Sequence, residues 1–181
     1  IMGIAHVGVQ PTVQWHSQQV PIPMAGLNVQ ASNNTFWKAT NGATEGIITQ
    51  TQSAPGIALS PVTLAVQKAY ADKFHNFPAW PGFNAYDATM AFIQAIKRAG
   101  STDPDKIVAE MEKTNMDGAI GRIGFYGRDD EFTHGLRYGH DWVTGLFVQW
   151  QNGQQVCVWP TDKCPNKMVF PSFVKLPQAA N

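Results

Sequence analysis

The sequence predicts an α/β fold with a mainly parallel sheet and antiparallel edge pieces. Three observations carry this. Strand-like and helix-like segments alternate through the first half, the pattern that builds parallel sheets. Residues 84–108 (NAYDATMAFIQAIKRAGSTDPDKIV) form the longest patterned stretch and read as two consecutive helices. Near the end, Gln151-Asn152-Gly153 separates two apolar runs, and Asn-Gly is the strongest short hairpin signal.

Taken in order, residues 1–5 are a short apolar strand. Residues 8–19 read as a helix with Pro11 in its first turn and Val9, Val13 and Trp15 as packing residues. Two prolines hold residues 20–26 (VPIPMAG) extended. Residues 33–41 are a short helix anchored by Phe36 and Trp37 and ended by Gly42, and residues 45–51 are a strand centred on Ile47-Ile48. The polar stretch 52–59 contains Pro and Gly and suits a crossing between lobes. Ser60-Pro61 then supplies an N-cap and a first-turn proline to an amphipathic helix with Val62, Val66, Tyr70 and Phe74 at spacing four. Residues 77–83 are an aromatic, proline-rich loop.

In the following helix Tyr86, Met90, Ile93, Ile96 and Ala99 define one apolar face, with Tyr86 turned to the core. Lys97 and Arg98 suit its C-terminal dipole, and Gly100 suits a left-handed cap. Asp103 and Pro104 restart a helix as N-cap and first residue, burying Ile107, Val108 and Met111. Residues 119–126 (AIGRIGFY) read as a strand with bends, 128–137 as a charged loop, and 140–150 and 155–159 as the paired strands. The tail frays after Leu176.

Composition excludes several classes. Charged residues make up 14%, formal net charge is zero, and the thirteen Lys and Arg are dispersed, so no basic patch suits nucleic acid. No apolar run approaches the roughly 20 residues that span a bilayer. The chain begins at Ile1, as a mature chain whose signal peptide has been removed or a truncated chain would. Cys157 and Cys164 (CVWPTDKC) are too widely spaced for a CxxC redox or metal pair and have no second pair. They read as a local disulfide around the Pro160-Thr161-Asp162 turn, which suits an oxidising compartment.

Nothing reads as an enzyme. His134 and His140 stand near Asp129, Asp130 and Glu131, but neither HExxH nor HxH spacing is present. GxSxG, GxGxxG and the phosphate-cradling GxxxxGK[ST] are absent, so no catalytic residue, metal or cofactor is expected. In parallel sheets ligands bind beyond the carboxyl ends of strands. Those ends carry Ala5-His6 and Leu27-Asn28, and the 77–83 loop offers Trp80 and Phe83 as aromatic walls. His6 and Asn28 are short polar groups able to orient an organic ligand. Trp80 and Phe83 read equally well as core residues, and Asn28 as a turn residue.

Four stretches, VPIPMAG, FWKATNGATEGIIT, AYDATMAFIQAIKRAGSTDPDKIV and the G-x-I-G-F-Y run ending at Tyr126, cover most of the chain in order. On them the chain resembles the C-terminal half of a type I periplasmic solute-binding protein, of the branched-chain amino-acid class that serves ABC transporters. The resemblance implies two Rossmann-like lobes, present here only in part, that close by hinge motion on a ligand. Residues 1–52 would belong to lobe 2, 53–137 to lobe 1, and 138–181 to lobe 2 with its hairpin. The implied partners are a small-molecule ligand, an ABC permease in the inner membrane and the missing N-terminal half of the same protein, and the implied location of the chain is the periplasm.

Amino-acid binders of this family place a carboxylate just beyond the strand matching PIPMAG, where this chain has Asn28, and an aromatic where it has Ala5. A neutral amide cannot pair with a desolvated ammonium as a carboxylate does. These departures shift the expected ligand from a free amino acid towards an amide or an aromatic acid. The alternative function is a ligand-sensing receptor or regulator domain of the same fold.

Overall fold

The computed structural model describes residues 2–4 and 8–176. The elements are β1 (Met2–Ile4), α1 (Val9–Ser17), β2 (Ala25–Asn28), α2 (Phe36–Ala39), β3 (Ile48–Thr51) and α3 (Thr63–Phe74). They continue with α4 (Trp80–Ala99), α5 (Pro104–Glu112), β4 (Asn115–Gly118), β5 (Gly121–Gly124), β6 (Leu146–Gln151) and β7 (Gln154–Trp159). The chain divides into two units, Ile1–Pro55 with Gly145–Asn181, and Gly56–Thr144.

The first unit holds a five-stranded sheet in the order β1-β2-β3-β6-β7. The first three strands run parallel, with Ile4 opposite Asn28 and Gly26 opposite Thr49; β6 and β7 are antiparallel. This is the mixed α/β sheet expected. Asn152 and Gly153 both have positive φ (51° and 78°), the geometry a two-residue hairpin needs to match strand twist.

Several elements are shorter than expected. The ladder of the VPIPMAG stretch begins only at Ala25, because Pro21 and Pro23 have no N–H to donate. The 33–41 helix is a single turn. Asn33 Oδ1 accepts from the Thr35 N–H and hydroxyl, the Thr40 hydroxyl bonds back to the Phe36 carbonyl, and Asn41 and Gly42 turn left-handed. Phe36 and Trp150 are nevertheless core residues with Ala31, and Trp37 stacks on Trp150 at 6.0 Å between centroids. Residues 140–145 are not strand: Gly139 and Val143 close a loop by a 3.1 Å backbone bond, and β6 starts at Leu146.

Cys157 and Cys164 form a disulfide with their Cα atoms 4.9 Å apart. The Cys164 and Lys163 N–H groups both donate to the Pro160 carbonyl, tightening the loop it closes. Removing a ring whose cysteines are seven positions apart should cost about 2.5 kcal/mol on loop entropy. A Cys157→Ser/Cys164→Ser double variant is therefore expected to unfold at lower denaturant, and an unchanged midpoint would contradict this.

In the second unit α3 begins at Thr63, two residues later than the Ser60 cap implies. The Thr63 hydroxyl accepts the Leu59 and Ser60 N–H groups, and Ser60 Oγ accepts from Val62 while donating to the Gly118 carbonyl. The cap chemistry is present but serves a turn before the helix. Helix α4 begins four residues earlier than expected, with Pro81 in its first turn, and ends at left-handed Gly100 (φ 56°). Asp103 Oδ1 accepts the Lys106 N–H at 3.1 Å, the N-cap expected of α5.

The buried face of α4 is not the expected one. Phe83, Asp87, Ala91 and Ala95 are buried, whereas Tyr86 and Ile93 are each 40% exposed. Beyond Phe83 that face carries small side chains at Ala91 and Ala95, whereas Tyr86 and Ile93 stand on another. The β4–β5 hairpin was not expected, because Asn115-Met116-Asp117-Gly118 is poor in strand formers. Its loop residues, Ala119 and Ile120, donate their N–H groups to the Asp87 carboxylate at 2.6 and 3.0 Å. With Phe83, Ile123 and Val143 they form the core of this unit. Among the described residues no helix is long and apolar enough to cross a membrane, and no cluster of His, Cys, Asp or Glu is placed to hold a metal.

Candidate functional site

The carboxyl end of β2 and the start of α1 meet in the first unit. Asn28, the last residue of β2, is 6% exposed. Thr49 of the neighbouring strand fixes its backbone: the Thr49 hydroxyl accepts the Asn28 N–H at 3.1 Å and donates to the Asn28 carbonyl at 3.0 Å. Its side-chain Oδ1 accepts the Ala31 N–H at 3.1 Å, so Asn28 does serve as a turn residue. That bond also sets the orientation of the amide, since a flip would turn two donors on each other.

The other half of the amide is left over. Asn28 Nδ2 is buried and has no hydrogen-bond partner among the described residues. An unsatisfied buried donor costs about 1–3 kcal/mol, so its persistence at a strand end asks for an acceptor. Gly8, the N-cap of α1, lies against the amide: a Cβ there would meet Oδ1 first, then Nδ2 at 2.9 Å and Cγ at 3.0 Å. Only glycine allows this approach. The Gly8 N–H donates to Gln30 Oε1 at 2.6 Å, tying the start of α1 to the turn after β2. Gly8 has no side chain of its own to cap α1, whose following N–H groups carry the positive end of its dipole. The arrangement offers donors and positive potential to an acceptor. Gly8 and Gln30 escaped sequence reasoning, because their bond joins residues 22 apart and no local signal marks it.

Ala5 and His6 lie outside the described residues. Trp80 and Phe83 belong to the second unit. Trp80 is half-buried and opens α4. Phe83 is 1% exposed, in ring contact with Phe77 at 5.4 Å and packed among Ala119, Ile120 and Ile123. It also forms the floor of an apolar groove of about 630 Å³ between α3 and α4, walled by Val66, Tyr70, Phe74, Pro78 and Tyr86. Tyr86, expected in the helix core, lines this groove instead. The stripe Val62, Val66, Tyr70 and Phe74 faces it too, with Phe74 54% exposed.

A mixed α/β sheet with an unsatisfied donor at a strand end and a helix start beside it is an arrangement that can receive a ligand's acceptor group. The chain belongs to the periplasmic binding protein family, whose profile it matches over residues 18–141. It is similar to a leucine-binding protein from Thermotoga maritima, with 26% identity, a TM-score of 0.72, and coverage of 88% of this chain and 44% of that one. It also shares the fold of the branched-chain amino-acid transporter substrate-binding protein of Streptococcus pneumoniae in complex with isoleucine (18% identity, TM-score 0.65, 82% and 39% covered). The same holds for a solute-binding protein of an ABC transporter from R. palustris in complex with benzoate (14%, TM-score 0.64, 92% and 42%).

The chain thus spans less than half the length of these structures. No curated protein sequence matches it. The type I periplasmic-binding fold, expected in part, is the one observed, and at family level these relatives are binders rather than enzymes.

Proposed function

We propose that this chain is part of the periplasmic solute-binding component of an ABC importer, closing on a small organic solute between two lobes. The match over residues 18–141 carries the reading, and the disulfide fits an exported protein. Lobe 2 is drawn from residues 1–52 and 138–181 and lobe 1 from 53–137; the division of the structure at 55/56 and 144/145 supports this. A further segment of the same protein completes the cleft. The 44% span of the Thermotoga relative supports that, as do the exposed Leu64, Phe74, Phe92 and Ile93. Asn28 orients the solute from lobe 2, and Trp80 supplies an aromatic wall from lobe 1. Ala5 and His6 complete the strand-end positions of the site. Closure is stabilised by the ligand's preference for the closed state.

The relatives' ligands, leucine, isoleucine and benzoate, set the panel for a test. Calorimetry and thermal shift on the complete protein with amino acids, amides and aromatic acids should find one class that binds one-to-one and raises the melting temperature. Absence of binding across the panel, or chemical turnover of a bound solute, would overturn the reading.

A further inference from the structure

We infer that the ligand group received at Asn28 is a carboxylate and not an ammonium, which rests on the solute-binding reading. Two independent observations point the same way. The amide of Asn28 has already committed its acceptor: Oδ1 holds the Ala31 N–H at 3.1 Å, and only the donor Nδ2 is without a partner. The amide, Oδ1 nearest and Nδ2 next, lies against Gly8 at the start of the nine-residue helix α1. Both features present N–H groups and positive potential. An ammonium has donors only, so it would face Nδ2 donor to donor and sit at the wrong end of a helix dipole. To receive it, the amide would have to turn over and break its bond to Ala31. A carboxylate that reaches Nδ2 accepts from it without turning the amide over and gains from the helix start. A neutral carbonyl makes the same hydrogen bond but gains less from the dipole.

Three probes with one ring and different heads separate these cases: benzoate, benzamide and benzylamine, titrated calorimetrically into the complete protein. Benzoate is expected to bind at least about 100-fold tighter than benzylamine, with benzamide between them. The Asn28→Asp variant keeps an oxygen for the Ala31 N–H but replaces the free donor with an anionic acceptor. It should weaken benzoate by about 100-fold while its circular dichroism spectrum stays unchanged. Benzylamine binding as tightly as benzoate in the natural protein, a comparison that needs no variant, would overturn the inference. So would a folded Asn28→Asp protein that holds benzoate unchanged. In either case solute binding itself would stand; only a protein that binds no solute of the wider panel would bring down both.

Discussion

Replacing Asp87 with alanine should destabilise the protein by about 4 kcal/mol. The carboxylate is buried on α4 and accepts the N–H groups of Ala119 and Ile120, the two loop residues of the β4–β5 hairpin. Both donors are buried, and each left without an acceptor costs about 1–3 kcal/mol. Gly118 packs directly on the carboxylate, since a Cβ on it would stand 2.7 Å from Asp87 Oδ2. Denaturation followed by tryptophan fluorescence checks the value, and a loss below about 1 kcal/mol would show that the hairpin holds itself.

The pH dependence has a definite sign. Burial raises the Asp87 carboxyl above its usual range, and the two backbone donors only partly pull it back. A raised carboxyl contributes stability that is present below its unfolded pKa of about 3.9 and lost as pH rises through the folded value. Asp87→Asn cannot titrate, so the advantage of the natural protein over this variant should shrink from pH 3.5 to pH 7. An advantage that grew with pH would reverse the assignment.

Asp87 also shows where the sequence stops being legible. Local signals were sufficient for the Asp103-Pro104 cap, the Gly100 stop and the Asn152-Gly153 hairpin, since each acts within a few residues. Periodicity identified α4 as amphipathic but selected Tyr86, Met90 and Ile93 as the packed stripe. The face buried among the described residues carries Phe83, Asp87, Ala91 and Ala95. A helix apolar on more than one side has no local rule for which side is covered, and a carboxylate inside a buried stripe reads as an interruption until its partners 32 and 33 residues away are known. The candidate site divides in the same way. Asn28 was visible from its place at a strand end, whereas the donor polarity of its amide depends on Ala31, Gly8 and Gln30 in three dimensions.

Gln149 is the second residue whose loss should be severe. It sits on β6, 0% exposed, and every polar atom of its side chain is used. Nε2 donates to the Gly46 carbonyl at 2.9 Å and to the Val169 carbonyl at 2.8 Å, while Oε1 accepts from the Val169 N–H at 2.8 Å and from Gln151 Nε2 at 2.7 Å. One side chain thereby ties the C-terminal segment to the turn that precedes β3. Gly46 has φ +83° and packs against Pro171 of that segment, so the turn and the tail are held together at two points. Gln149→Leu fills most of the volume but orphans both carbonyls and the Val169 N–H, and about 3–4 kcal/mol should be lost. Gln149→Glu, although isosteric, is expected to be the worse of the two at neutral pH. Its second oxygen would face two carbonyl oxygens, and a buried carboxylate with no cation beside it carries a large desolvation penalty. Lowering the pH protonates that group and restores one donor, so the glutamate variant alone should regain stability in acid. If leucine were the more damaging replacement at pH 7, shape rather than hydrogen bonding would be what Gln149 supplies.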